Sequence, residues 1–280
     1  MAALLALLTS LCYGTSNYVG PTLSRDAPVY AVLVTGQAVA LLVSASVVVI
    51  AGQPVPEASV WGAAALAGVG NAWGLIAFYR AASHGPLSIV TPIGSLSVLA
   101  PVGTGLAKGE PLGAAKLVGL VLALCGVALA TRRRARPGDR PDDVGLAARW
   151  ALASAVGFGL FLTFVAPASK GGVFWAVALS RIAMLAACVV AARLLHQRLS
   201  TRPGLLPKLA VPGLLLFAGT VAYAEATRLG DLSVVSVLGT LFPVVTVTLA
   251  FLLGGERLRR VQAIGVATAI AGVVLVSLHA

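Results

Sequence analysis

Ten stretches of about twenty mostly apolar residues follow one another along this chain, separated by short breaks. They run roughly over 2–22, 29–51, 59–79, 87–107, 113–131, 147–166, 173–195, 209–227, 232–254 and 261–279. Twenty residues of helix cover about 30 Å, the thickness of a bilayer's hydrocarbon core. Lipid offers the backbone no hydrogen bonds, so a spanning segment is a helix or a strand of a closed barrel. Barrel strands are about ten residues long and alternate in polarity. These runs are twice that length and do not alternate. The expected fold class is all-α: a polytopic membrane protein with ten transmembrane helices. Composition agrees, with 59% hydrophobic and only 10% charged residues among 280. A soluble domain carries about 25% charged residues, and with so few it could not cover its surface. The first run lacks the basic leader of a signal peptide and reads as a retained span.

The formal net charge of +11 does not point to nucleic acid, because the basic residues sit in short connections between apolar runs. Connections after odd-numbered spans hold 15 Lys and Arg, among them Arg25, Arg80, Arg132, Arg133 and Arg134. Those after even-numbered spans hold 4, and Arg181 inside a span completes the 20. The positive-inside rule then puts the odd connections in the cytoplasm and both termini outside.

The chain is also duplicated. The ten residues from Leu87 to Leu96 resemble the ten from Leu232 to Leu241 at an offset of 145. Gly109, Glu110, Gly119 and Gly126 match Gly255, Glu256, Gly265 and Gly272 at an offset of 146. The expected domains are a first repeat over 1–131, a hydrophilic linker over 132–146 and a second repeat over 147–280. Each repeat holds five spans. Five is odd, so the second copy enters the membrane upside down. Inverted repeats recur in secondary transporters, with the substrate site near the midplane between the copies.

Polar residues inside spans are the candidates for that site. Arg181 stands about eight residues into span seven, roughly 12 Å deep, where a charge needs a partner or a watery cavity. Its first-repeat equivalent is Gln37. Glu225, near the end of span eight, is the one carboxylate clearly inside a predicted span. Arg181 and Glu225 could pair as a structural or gating salt bridge, Arg181 could bind an anionic substrate group, or Glu225 could exchange a proton. Asn17, Trp73 and Tyr79 offer hydrogen bonds and aromatic surface of the kind a small-molecule pocket uses. Asn71 could instead tie two helices together, and Tyr18 and Tyr79 also suit interfacial belts. Thr91, Ser95, Ser236 and Thr240 occupy repeat-equivalent places, where bonding to their own backbone is the alternative role. Pro92, Pro101 and Pro243 fall inside spans and invite kinks. Cys12, Cys125 and Cys188 read as small apolar residues. No His, Cys or carboxylate cluster has metal-site spacing, so no metal and no cofactor are expected.

The first span reads Tyr13, Gly14, Thr15, Ser16, Asn17, Tyr18. Spans three and eight end on Phe78, Tyr79, Arg80, Ala81 and on Tyr223, Ala224, Glu225, Ala226. A Gly-Glu pair precedes the last span of each half, at Gly109 and Gly255. In this order and spacing the motifs resemble the EamA family of the drug/metabolite transporter superfamily, over essentially the whole chain. Tyr13 stands where the family usually has Trp. The resemblance implies two inverted five-helix repeats, alternating access, and export of a small metabolite such as an amino acid or related compound. It also implies a multi-pass protein of the cell membrane, with proton or substrate antiport as the coupling and a monomer or homodimer as the assembly. It places both termini in the cytoplasm, against the charge bias. A flippase for an amphipathic or lipid-linked compound is the alternative. An intramembrane enzyme would need a catalytic set such as His-Glu-x-x-His or Gly-x-Ser-x-Gly, and neither motif occurs. A scaffold or receptor would leave Arg181 and Glu225 purely structural.

Overall fold

The computed structural model describes residues 1–85, 87–109, 113–130, 141–200 and 202–253, with scattered positions between 260 and 275. Every regular element among them is helical. The helices are α1 (Ala2–Leu23), α2 (Val29–Ile50), α3 (Ala58–His84), α4 (Leu87–Ser95), α5 (Leu99–Ala107), α6 (Ala114–Ala130), α7 (Pro141–Ala168), α8 (Val173–Leu194), α9 (Leu206–Leu229), α10 (Leu232–Gly239) and α11 (Phe242–Leu252). Among the described residues, seven stretches are long and apolar enough to cross a bilayer: Ala2–Leu23, Val29–Ile50, Ala58–His84, Gly145–Gly171, Val173–Leu194, Pro203–Leu229 and Leu232–Leu252. Ile93–Ala107 and Leu117–Gly126 are shorter apolar helices. Residues 132–140 of the expected linker, Glu110, and most of the expected tenth span, with Gly255 and Glu256, lie outside the described residues. The outer surface carries Leu11, Leu42, Val49, Leu66, Val69, Val156 and Val190 in exposed positions. Water would not tolerate so continuous an apolar coat, whereas lipid does.

The two copies interlock rather than stack as separate bodies. Helix α3 lies along α7 and α8 of the second copy, α1 lies along α9, and α2 packs on both α8 and α9. Helices within one copy touch each other far less. The offset of 145 recurs in three dimensions. Gly74 leaves room for the Phe158 ring and Gly219 for the Tyr13 ring, and both the glycines and the rings are related by 145. Gly14 faces Phe242 O and Val245 just as Gly159 faces Ser97 O and Ala100, and these residues too are related by 145. Two further equivalents, Gly68 and Gly213, make the tightest crossings. A Cβ on Gly68 would lie 2.2 Å from Ser180 O, and one on Gly213 would lie 1.9 Å from Gly36 O.

The fourth span of each copy is broken at the same place. In the first copy α4 ends at Ser95, and a turn of 3₁₀-helix over Leu96–Val98 leads into α5. In the second copy α10 ends at Gly239, and Thr240 and Leu241 lead into α11. Pro101 and Pro243 lack the N–H that would bond Ser97 O and Gly239 O, so neither helix runs straight through. Pro92 causes no break, since α4 continues past it to Ser95. Side chains tie the second break to α1: Ser10 donates to Leu238 O, and Thr246 Oγ1 lies 3.0 Å from Gly14 O.

Candidate functional site

The breaks in both fourth spans face one pocket at the centre of the bundle. Tyr13 and Asn17 line it from α1, and Asn71 and Leu75 from α3. Ser97 and Thr240 come from the two breaks. Phe158, Phe161 and Leu162 of α7, Leu216 of α9 and Phe242 of α11 complete the wall. Its volume of about 30 Å³ holds a water molecule or two. A larger solute therefore needs the walls to part. A wider vestibule of about 540 Å³ lies toward the ends of α1 and α3, between Tyr18, Pro21, Arg25, Tyr79, Ser83 and Ala250. Asn17 of the pocket and Tyr18 of the vestibule are consecutive on α1.

Arg181 is 1% exposed and lies beside the pocket rather than in it. Its Nη1 donates to Gln37 Oε1 at 2.7 Å and to Met184 Sδ at 3.4 Å. Its Nη2 donates to Leu216 O at 2.8 Å and to Thr220 Oγ1 at 2.5 Å. Thr220 has one hydroxyl proton and gives it to Leu216 O at 2.6 Å. Tyr13 OH, 3.2 Å from Thr220 Oγ1, is then the donor of that pair. A single guanidinium thus holds α2 of the first copy and α9 of the second. Through Leu216 and Thr220 it also sets two pocket residues, Leu216 and Tyr13. Among the described residues, neutral dipoles and not a carboxylate surround the charge.

Glu225 is not that carboxylate. It bonds Arg228 on its own helix at 3.2 Å, with 40% of its side chain exposed. It stands five residues beyond Thr220, about 7.5 Å along α9 and about 140° around it. Its side chain therefore faces away from the Thr220 side of α9. Trp73 also misses the pocket: it is 47% exposed and donates Nε1–H to Ala153 O at 3.0 Å. Asn71 and Leu75 form the inward stripe of α3, and Trp73 lies about 160° around from each.

Among the other expected residues, Asn17 and Thr240 line the pocket and Tyr79 lines the vestibule. Gln37 serves Arg181. Ser95 is buried at the end of α4 without reaching the pocket wall. Thr240 donates to its own helix at Ser236 O, 2.8 Å away. Sequence reasoning missed Thr220 as the partner of Arg181. It also missed Tyr13, Ser97 and the phenylalanines of α7 as pocket walls.

A family model describes this arrangement twice. The EamA-like transporter family matches residues 1–132 and again residues 145–278. The chain belongs to the EamA-like transporter family. It is therefore a multi-pass membrane transporter with two inverted repeats, for which a small-molecule substrate and a lipid environment follow. Among solved structures, one crystal structure aligns with 100% of this EamA protein and 96% of its own chain, at a TM-score of 0.77 and 19% identity. At that identity the likeness speaks for the fold alone. No functionally curated protein matches the chain.

Proposed function

We propose that this EamA protein is a ten-helix secondary transporter that exports a small organic metabolite across the cell membrane by alternating access. One observation carries the reading: the central pocket is walled by both copies and by the breaks of both fourth spans. Broken helices at the midplane of inverted repeats are a recurring way to build a transport site. The walls come from different copies, so a rocking of one copy against the other opens the pocket first to one side and then to the other. Arg181 acts as a positioning residue at this seam, because its terminal nitrogens are occupied by protein acceptors. Glu225, half in solvent and paired with Arg228, has no place in coupling.

The reading is tested by counterflow into proteoliposomes with labelled amino acids, nucleosides, carboxylic acids and amides as probes. At least one solute exchanges, and Ser97→Phe, whose ring fills the 30 Å³ pocket, abolishes that exchange while the protein stays folded. Undiminished exchange in Ser97→Phe, or exchange of none of these solutes, contradicts the reading.

The vestibule opens at the end where Arg25 and Arg80 lie, and Arg80 stacks over Trp150 at 4.9 Å. That end carries the odd connections, which the charge bias assigns to the cytoplasm. In this conformation the transporter is thus poised to load from inside. A Ser83→Cys variant then reacts with a membrane-impermeant maleimide in inside-out vesicles and not in intact cells. The reverse pattern would mean that the family's usual orientation prevails.

A further inference from the structure

The two walls of the pocket are sequence equivalents of each other, yet they differ in chemistry. Adding 145 to Tyr13 gives Phe158, to Asn17 gives Leu162, to Asn71 gives Leu216, and to Ser97 gives Phe242. All of these residues line the one pocket. In every pair the first copy supplies the polar member and the second the apolar one. Two lining residues fall outside this rule, and neither weakens it. Thr240 of the second copy spends its hydroxyl on its own helix. Leu75 of the first copy is the one apolar residue that copy adds to the described wall.

The polar wall is also short of partners. Ser97 Oγ is buried with no hydrogen bond among the described residues. Asn17 and Asn71 are 3% and 4% exposed, and their carboxamides make no protein hydrogen bond among those residues. A buried polar group left unbonded is unfavourable, so this wall is suited to a solute that supplies the missing donors and acceptors. Among the described residues no Asp, Glu, Lys, Arg or His lines the pocket. A cation brought here would lose its hydration without meeting an opposite charge, and an anion would have Arg181 only behind Leu216 and Tyr13, with its terminal nitrogens already bonded to protein acceptors.

We infer that the pocket takes an uncharged, two-faced solute in one fixed orientation. An amide or alcohol end lies against Asn17, Asn71 and Ser97, and an aromatic or branched hydrocarbon end lies against Phe158, Leu162 and Phe242. This rests on the transport reading above and narrows its substrate class away from ions and zwitterions.

The test is thermal unfolding of the purified full chain with benzamide as probe, against benzoate, benzylamine and acetamide. Benzamide raises the unfolding temperature with an apparent affinity at least about tenfold better than the other three. The double variant Asn17→Leu, Asn71→Leu weakens benzamide binding by about tenfold or more, with its own unfolding temperature unchanged or higher. Adding Leu162→Asn and Leu216→Asn moves the polar wall to the second copy and restores binding. The inference is overturned if benzoate or benzylamine binds as well as benzamide, if benzamide fails to bind, or if the double variant binds it normally. Should that happen while some solute still shows counterflow that Ser97→Phe abolishes, only the solute class is wrong. If counterflow is absent too, the transport reading itself has failed.

Discussion

Replacing Arg181 with methionine lowers transport by about a hundredfold or more, while the protein still inserts and folds. Hydrogen bonds to a charged group are worth about 1.5–3 kcal/mol each, and every 1.4 kcal/mol is tenfold. Arg181 makes three such bonds to oxygen, to Gln37, Leu216 and Thr220. Folding suffers less than transport, because methionine keeps much of the buried volume and removes a charge that no carboxylate neutralises. The bonds lost are those that join α2 to α9 and set the positions of Tyr13 and Leu216 in the pocket. Lysine at 181 keeps the charge but cannot reach acceptors on two helices with a planar fork, so Arg181→Lys recovers only part of the rate. A purely structural role would show the opposite pattern: a fall in unfolding temperature with normal turnover in the protein that remains. Counterflow rates normalised to folded protein, with KM and kcat separated, distinguish the two.

The second large effect is on assembly. Gly213→Val is expected to remove most of the folded protein, and Gly68→Val to do the same. The atom that meets a new Cβ at Gly213 is Gly36 O at 1.9 Å, and at Gly68 it is Ser180 O at 2.2 Å. Both are backbone atoms, so no rotamer change relieves the clash, and whole helices have to separate. Overpacking of side chains alone costs about 1–3 kcal/mol; a backbone clash at the seam between the copies exceeds that range. Gly62→Val serves as the control, since nothing lies within 4 Å of a Cβ there. Size-exclusion profiles and unfolding temperatures of the three variants in detergent measure the effect. A well-folded Gly213→Val protein would mean that α2 and α9 do not cross this closely.

The helical class and the duplication were legible in the sequence, because length, period and hydropathy are one-dimensional properties. Direction around each helix was not. In a soluble helix the polar face betrays the inward one. Here both the lipid-facing and the core-facing sides are apolar, so nothing in the sequence separates Trp73, expected at the site, from Asn71, expected to tie two helices together, and the structure puts Asn71 in the pocket wall instead. The same ambiguity let Glu225 seem a partner for Arg181, when the face of α9 that meets Arg181 belongs to Leu216 and Thr220, a turn or more earlier. The 145-residue offset, found in the fourth spans, extends to Tyr13 and Phe158. Yet a repeat says which residues are equivalent, not which of them face the axis. The prolines gave a partial signal. Pro101 and Pro243 each lie just beyond a break, and Pro92 does not disturb its helix. Neither break marks itself, because its position depends on the copy packed against it.

The account stands on a central pocket that opens by turns to the two sides of the membrane. A single cysteine at position 97, made by Ser97→Cys after replacing Cys12, Cys125 and Cys188, tests this most directly. A membrane-impermeant methanethiosulfonate reagent is applied to right-side-out and to inside-out vesicles, and labelling is counted by mass. Alternating access predicts labelling from both sides, each suppressed by a transported solute. Labelling from one side alone, whatever solute is present, would contradict it.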